Sequence, residues 1–190
     1  DTGDYPECQK RVMELAGWND FPTRQAQARS EGRFIGMGLA NYVEATGRGP
    51  FESVSIRISP SGQIIAATGA TAQGQGVKSM VAQIAADQLG ISASDVQVVV
   101  GDTQLTPSGL GAYASRQAVM AGNAAHCAAL AIVEKIKIAA GAIMEAEPQD
   151  LELSQGRVHL KGVPDHGKSL AEIARALAGA PGFALPGNLP

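Results

Sequence analysis

The chain has 190 residues and a formal net charge of -3, with 15 Lys and Arg and no basic cluster; it is long enough for a sizeable core, and its charge argues against a nucleic-acid partner, because phosphate contacts need concentrated Lys and Arg. Hydrophobic residues make up 45% but Phe, Tyr and Trp together only 4%, alongside 23 glycines, so the interior must be built from Val, Ile, Leu and Ala with many close backbone approaches. Cys8 and Cys127 stand alone rather than as Cys-x-x-Cys, which argues against an iron-sulfur or structural zinc site in this chain and makes two buried thiols, rather than a disulfide, the expectation.

Residues 6–17 predict a short helix with Cys8, Val12, Met13 and Leu15 as its stripe and Gly17 as its stop. Residues 22–31 predict a second, polar helix that lies at a surface or against another chain. Residues 34–46, β-branched and small, predict a strand with Gly36 and Gly38 allowing close contact. Val54, Ile56 and Ile58 alternate with polar residues, Pro60-Ser61-Gly62 is a turn, and residues 63–68 return as the paired strand.

Met80, Val81, Ile84 and Leu89 then recur at helical spacing up to Gly90, and residues 96–100 predict a buried strand stopped by Gly101-Asp102-Thr103. The longest helical pattern spans residues 117–145. Glu134, Lys135 and Lys137 interrupt its apolar run, so it predicts a core helix packed by small side chains, not a membrane span. Gly122 and Gly141 allow close helix contact or bends. Residues 151–153 and 157–160 predict a hairpin around Gln155-Gly156, and a last helix starts after Ser169. These elements predict an α+β fold of layered sheet and helix. The start, without Met or apolar leader, and the turn-rich end read as cut from something longer, and the missing signal segment points to the cytoplasm.

Two loops carry the candidate chemistry. The first, Gly69-Ala70-Thr71-Ala72-Gln73-Gly74-Gln75-Gly76, joins a strand to a helix, where free N–H groups and the positive helix end can hold an anion. The alternative is a glycine-rich turn with solvated glutamines. A nucleotide-hydrolase phosphate loop is rejected because Val77 separates Gly76 from Lys78. The second comprises Gly101-Asp102-Thr103 and Thr106-Pro107-Ser108-Gly109-Leu110-Gly111-Ala112-Tyr113-Ala114-Ser115-Arg116, rich in small and hydroxyl residues that suit a flat polar cofactor. Asp102 reads as a turn cap, and Arg116 as a surface residue or the partner of a phosphate or carboxylate. Both loops lead from strand to helix, so one crevice can draw on both. His126, His159 and His166 share no ligand spacing, Ser115 has no base partner, and Glu44 is a lone carboxylate, so no catalytic or metal-ligating residue is assigned.

An ordered series of segments resembles the molybdenum hydroxylase large, molybdopterin-binding subunit, the family of xanthine dehydrogenase, aldehyde oxidoreductase and aerobic carbon monoxide dehydrogenase. The series is Asp1-Thr2-Gly3-Asp4-Tyr5, Glu31-Gly32-Arg33-Phe34-Ile35-Gly36-Met37-Gly38-Leu39-Ala40, Glu44-Ala45-Thr46-Gly47, the Gln73-Gly74-Gln75-Gly76 loop, Gly101-Asp102-Thr103, and Ala114-Ser115-Arg116 with Ala121-Gly122. The resemblance implies a two-layer mixed-sheet and helix architecture like part of a molybdenum cofactor-binding domain, with residues 1–32 a helical lead-in, 33–178 the molybdopterin-binding-like domain and 179–190 an irregular tail. It implies cofactor contact by Gln73, Gly74, Gln75, Gly76, Thr103, Ala112, Tyr113, Ala114 and Ser115, with Gln75 positioned near the metal. Molybdenum would be held by the pterin dithiolene.

The same resemblance implies hydroxylation of an aldehyde or heterocycle carbon with water, or oxidation of carbon monoxide, with electrons leaving to iron-sulfur and flavin partners. Those partners, the FAD-binding and iron-sulfur subunits or domains, would join the rest of the large subunit, and self-association is a further way to cover exposed apolar faces. The upstream glycine-rich cofactor loop and the downstream catalytic Glu of the family have no counterpart in the chain, and Val77 replaces a polar His found in many relatives. The expectation is therefore an inactive isolated chain, its molybdopterin present only in an intact parent. The competing expectation is a cofactor-free assembly or protein-binding module derived from that fold.

Overall fold

In the computed structural model, which describes residues 3–179, the chain forms two compact units, one up to Val43 and the other from Glu44. The first unit holds α1 (Tyr5–Ala16) and α2 (Phe21–Ser30). Asp4 caps α1 by accepting from the Glu7 N–H at 3.0 Å, and Gly17 ends it with φ of 64°, a left-handed stop that glycine takes freely.

The expected strand at residues 34–46 does not form: the segment has no regular secondary structure, with Phe34 87% and Tyr42 85% exposed. A strand needs a ladder for its backbone groups. No strand is present among the described residues of the first unit, and the Ile35 carbonyl instead accepts from the Gln25 side chain at 3.1 Å. Leu39 and Tyr42 line a shallow groove with Tyr5, Cys8 and Val12 of α1.

The second unit begins with the expected hairpin, β1 (Val54–Ile58) and β2 (Ile64–Thr68), antiparallel with Ile56 opposite Ala66, and Gly62 takes φ of 88° in its turn. α3 (Val77–Leu89) follows, ending at Gly90, and β3 (Val96–Val100) pairs parallel to β2 in the sheet order β1-β2-β3. A parallel neighbour requires a crossover, which α3 provides. The long helix differs from expectation at its start, where residues Gln117–Ala121 form a π-helical turn before α4 (Gly122–Met144). A second antiparallel sheet contains the expected hairpin, β4 (Leu151–Ser154) and β5 (Arg157–Leu160), plus a short β6 (Gly167–Ser169) that precedes α5 (Leu170–Leu177).

This is the expected mixed α+β architecture. α3 and α4 pack on each other and on the first sheet, with Ala66, Val81, Ala85, Leu89, Ala121, Ala125 and Ile136 in the core. Small side chains let the two helices approach: a Cβ on Gly122 would sit 3.3 Å from Ile84 Cδ1. Leu151, Val158, Leu170 and Ile173 extend the same core beneath the second sheet. Cys8 and Cys127 are free but exposed, not buried: Cys8 lies on the thinly covered α1, and Cys127 on the outer side of α4 between buried Ala125 and Ala129. No helix among the described residues is long and apolar enough to cross a membrane.

Candidate functional site

The parallel pairing of β2 and β3 fixes where the two loops start. Thr68 pairs with Val100, and the Gly101 N–H donates to the Thr68 carbonyl at 3.0 Å. Both strands therefore end at one edge of the sheet, and residues 69–76 and 101–116 leave from it side by side. Carboxyl edges of parallel strands are where α/β folds commonly build ligand crevices.

Gly69, directly after β2, and Gly109, midway along the second loop, bring the two loops together. A Cβ on Gly69 would lie 1.9 Å from the Ser108 carbonyl oxygen, and one on Gly109 would lie 2.1 Å from the Gly69 oxygen. Only two glycines allow this backbone contact. Further along, a Cβ on Gly101 would lie 3.3 Å from Thr71 Cγ2, and Ser53 Oγ donates to the Ser108 carbonyl at 3.2 Å.

From Thr71 to Gly76 the first loop is open to solvent. Gly74 and Gly76 have φ of 94° and 83°, and a Cβ on either would meet nothing within 4 Å. Gly76 is the N-cap of α3 and supplies no side-chain acceptor, so the first-turn N–H groups of Val77, Lys78 and Ser79 have no side-chain cap at the positive helix end. Gln75 folds over its own loop: its Oε1 accepts from the Gln73 N–H at 2.5 Å and its Nε2 donates to the Thr71 carbonyl at 3.4 Å. Thr103 is exposed in a turn closed by Asp102, whose Oδ1 accepts from the Gln104 N–H at 2.8 Å, the capping role expected of it.

The second loop is braced from within. Ala114 and Ser115 both have left-handed backbones, φ of 47° and 50°, a conformation costing a non-glycine residue about 1–2 kcal/mol. The next residue, Arg116, is completely buried. Its Nε donates to the Arg48 carbonyl at 3.0 Å, Nη2 to the Phe51 carbonyl at 2.9 Å, and Nη1 to both the Gly111 carbonyl at 3.2 Å and Glu52 Oε1. Glu52 is buried too, and the same oxygen accepts from the Leu110 N–H at 3.1 Å. Gln117 Nε2 adds a bond to the Gly111 carbonyl at 2.7 Å, and the Tyr113 ring lies 5.2 Å from the guanidinium carbon. Gly47 donates to the Ala114 carbonyl at 3.1 Å.

Residues 47–53 thus form a buttress behind the 108–117 loop. Arg116 has the carboxylate partner that was one of its sequence readings, and that partner is Glu52. Sequence reasoning missed Glu52 and considered Glu44, which is exposed. The available signal was a lone acidic residue directly before an apolar strand. Among the described residues, Glu52 Oε2 and Gln117 Oε1 are buried without a donor. His126 is exposed on α4, and His166 lies exposed before β6. His159 is buried in its own sheet between Ser154 Oγ at 2.7 Å and the Leu160 carbonyl at 3.0 Å, a structural histidine far from a ligand set.

Residues 11–185 match the family described as the molybdopterin cofactor-binding domain. The chain belongs to this family. Among curated relatives, the 6-hydroxypseudooxynicotine dehydrogenase complex subunit gamma of Paenarthrobacter nicotinovorans is 38% identical over 93% of the chain and 22% of the relative. The carbon monoxide dehydrogenase large chain of Afipia carboxidovorans is 36% identical over 95% of the chain and 24% of the relative. Among solved structures, quinoline 2-oxidoreductase from Pseudomonas putida matches with a TM-score of 0.62 at 37% identity, over 96% of this chain and 25% of that one. The Cu,Mo-CO dehydrogenase matches with a TM-score of 0.63 at 35% identity, over 93% and 24%. The chain thus spans about a quarter of the length of the relatives it matches.

The residues present fit part of a molybdopterin. Uncapped first-turn amides and the unfilled space at Gly74 and Gly76 suit an anionic phosphate. Among the described residues no three His, Cys, Asp or Glu side chains converge on a metal position. A donor set of this kind can grip a cofactor by its organic frame.

Proposed function

We propose that the chain is the cofactor-gripping segment of a molybdenum hydroxylase or carbon monoxide dehydrogenase large subunit. The observation that supports this most is the backbone contact of the two loops at Gly69 and Gly109, in a chain of this family whose first loop leads into an uncapped helix end. Val77, Lys78 and Ser79 N–H groups would take the phosphate, Gly74 and Gly76 would leave room for it, and the backbone of Ala112, Tyr113, Ala114 and Ser115 would line the pterin. Gln73 and Thr103 are the outer contacts of the same edge. Gln75 would turn its amide from its own loop toward the cofactor, exchanging two local hydrogen bonds for ligand ones. The bound cofactor would supply oxidation of a carbon centre, an aldehyde, a heterocycle or carbon monoxide, with water as the oxygen source. Electrons would pass to iron-sulfur and flavin partners, and the remaining large-subunit polypeptide would complete the pocket.

The self-bonded Gln75 amide favours a second reading, an assembly module without cofactor. The two separate on one measurement, metal and pterin analysis of the protein purified from its native source. Molybdenum and pterin near one per chain, in a species well above the mass of 190 residues, is the expected result. A species of this length with neither overturns the cofactor reading and leaves the assembly module.

A further inference from the structure

We infer that Arg116 and Glu52 are positioning residues: their buried pair latches the left-handed turn at Ala114 and Ser115 against residues 47–53 and so holds the cofactor-facing backbone in its binding shape. The inference rests on the cofactor reading above. Two consecutive non-glycine residues in the left-handed region persist only where their surroundings over-determine them. The residue that follows supplies that constraint. Arg116 donates to acceptors of four residues, Arg48, Phe51, Glu52 and Gly111, and all of these lie in the buttress or in the turn itself.

The chemistry of the pair specifies arginine. A planar fork can reach carbonyls of two separate loop segments and a carboxylate at once, whereas an ammonium on a flexible stem cannot reproduce that geometry. Glu52 in turn accepts from the Leu110 N–H as well as from Arg116, so one carboxylate oxygen ties both ends of the loop. Neither side chain reaches solvent, and neither has surface to offer a ligand. Their part in cofactor binding is therefore indirect, through the backbone of residues 111–115.

The test is hydrogen exchange and pterin content on the same Arg116→Lys protein, expressed as the full chain in its native host. Amides of residues 111–117 should exchange about tenfold faster or more than in the unsubstituted protein, while β2 and the middle of α4 keep their protection. Pterin per chain should fall severalfold. Glu52→Gln, which retains an acceptor oxygen but not the charge, serves as a second variant with smaller changes in the same direction should Arg116→Lys fail to accumulate. Unchanged loop exchange in a folded variant overturns the latch. Faster exchange with full pterin content shows that the pair braces the loop without positioning the cofactor, which also overturns the proposal. Absence of pterin from the unsubstituted protein overturns the cofactor reading and this proposal with it, and is distinguished from the other failures because no substitution is involved.

Discussion

Glycine at position 69 and glycine at position 74 sit in the same loop for different reasons. At Gly69 a Cβ would fall 1.9 Å from the Ser108 carbonyl oxygen, a backbone atom that cannot step aside, whereas at Gly74 the space is empty and only the positive φ of 94° opposes a side chain. Gly69→Ala should therefore cost about 3 kcal/mol or more by urea denaturation, and Gly74→Ala about 1 kcal/mol. Equal losses would show that Gly69 and the Ser108 carbonyl are not in contact. The glycines of this loop were legible in the sequence, but which one carries a packing role was not, because the atom that decides it belongs to Ser108. Arg116 shows the same limit. Its need for an acidic or phosphate partner follows from its chemistry, yet Glu52 lies 64 residues away along the chain.

Among the elements, α5 has the most complete local code. Ser169 Oγ accepts from the Glu172 N–H at 3.2 Å while Glu172 Oε2 accepts from the Ser169 N–H at 2.8 Å, a reciprocal capping box. The Ser169 backbone N–H first, and its hydroxyl second, hold the Glu172 carboxyl below its usual pKa of 4.5. A depressed carboxylate stabilises the fold fully above its unfolded value and loses that contribution as pH falls through the lower folded value. Ser169→Ala should cost about 1 kcal/mol at pH 7 by chemical denaturation. The stability difference between the unsubstituted chain and Glu172→Gln should be present at pH 7 and vanish as pH falls below 4.5; a difference that persists in acid would show that the charge of Glu172 has no part in the cap. Residues 34–46 are the opposite case: strand-like composition states a preference, and without a ladder the preference produces no strand. β6 escaped sequence reading because three residues are too few to display a period.

At the scale of the whole molecule the core is unevenly shared. Among the described residues of the first unit Ala28 is the buried apolar one, whereas the second unit carries the continuous cluster from Ile64 to Ile173. Stability follows buried apolar area, so a chain beginning at residue 44 should unfold cooperatively within about 4 °C of the full chain's Tm in a calorimetric scan. Loss of a cooperative transition would show that the first unit is needed for the second to fold. The exposed Phe34, Tyr42 and Val43 belong to the first unit and therefore contribute little to that transition.

The sequence by itself determined the helices, the glycine stops of α1 and α3, the two hairpins and the α+β class, because each is written in residues within a few positions of one another. It also carried the family, through segments spread in fixed order along the chain. Tertiary structure alone decided that β3 lies parallel to β2, that the two glycine-bearing loops meet at Gly69 and Gly109, and that Arg116 is buried on Glu52. Those outcomes depend on which surfaces are covered once the elements pack, and the free energy of that burial is shared among residues that no local pattern connects.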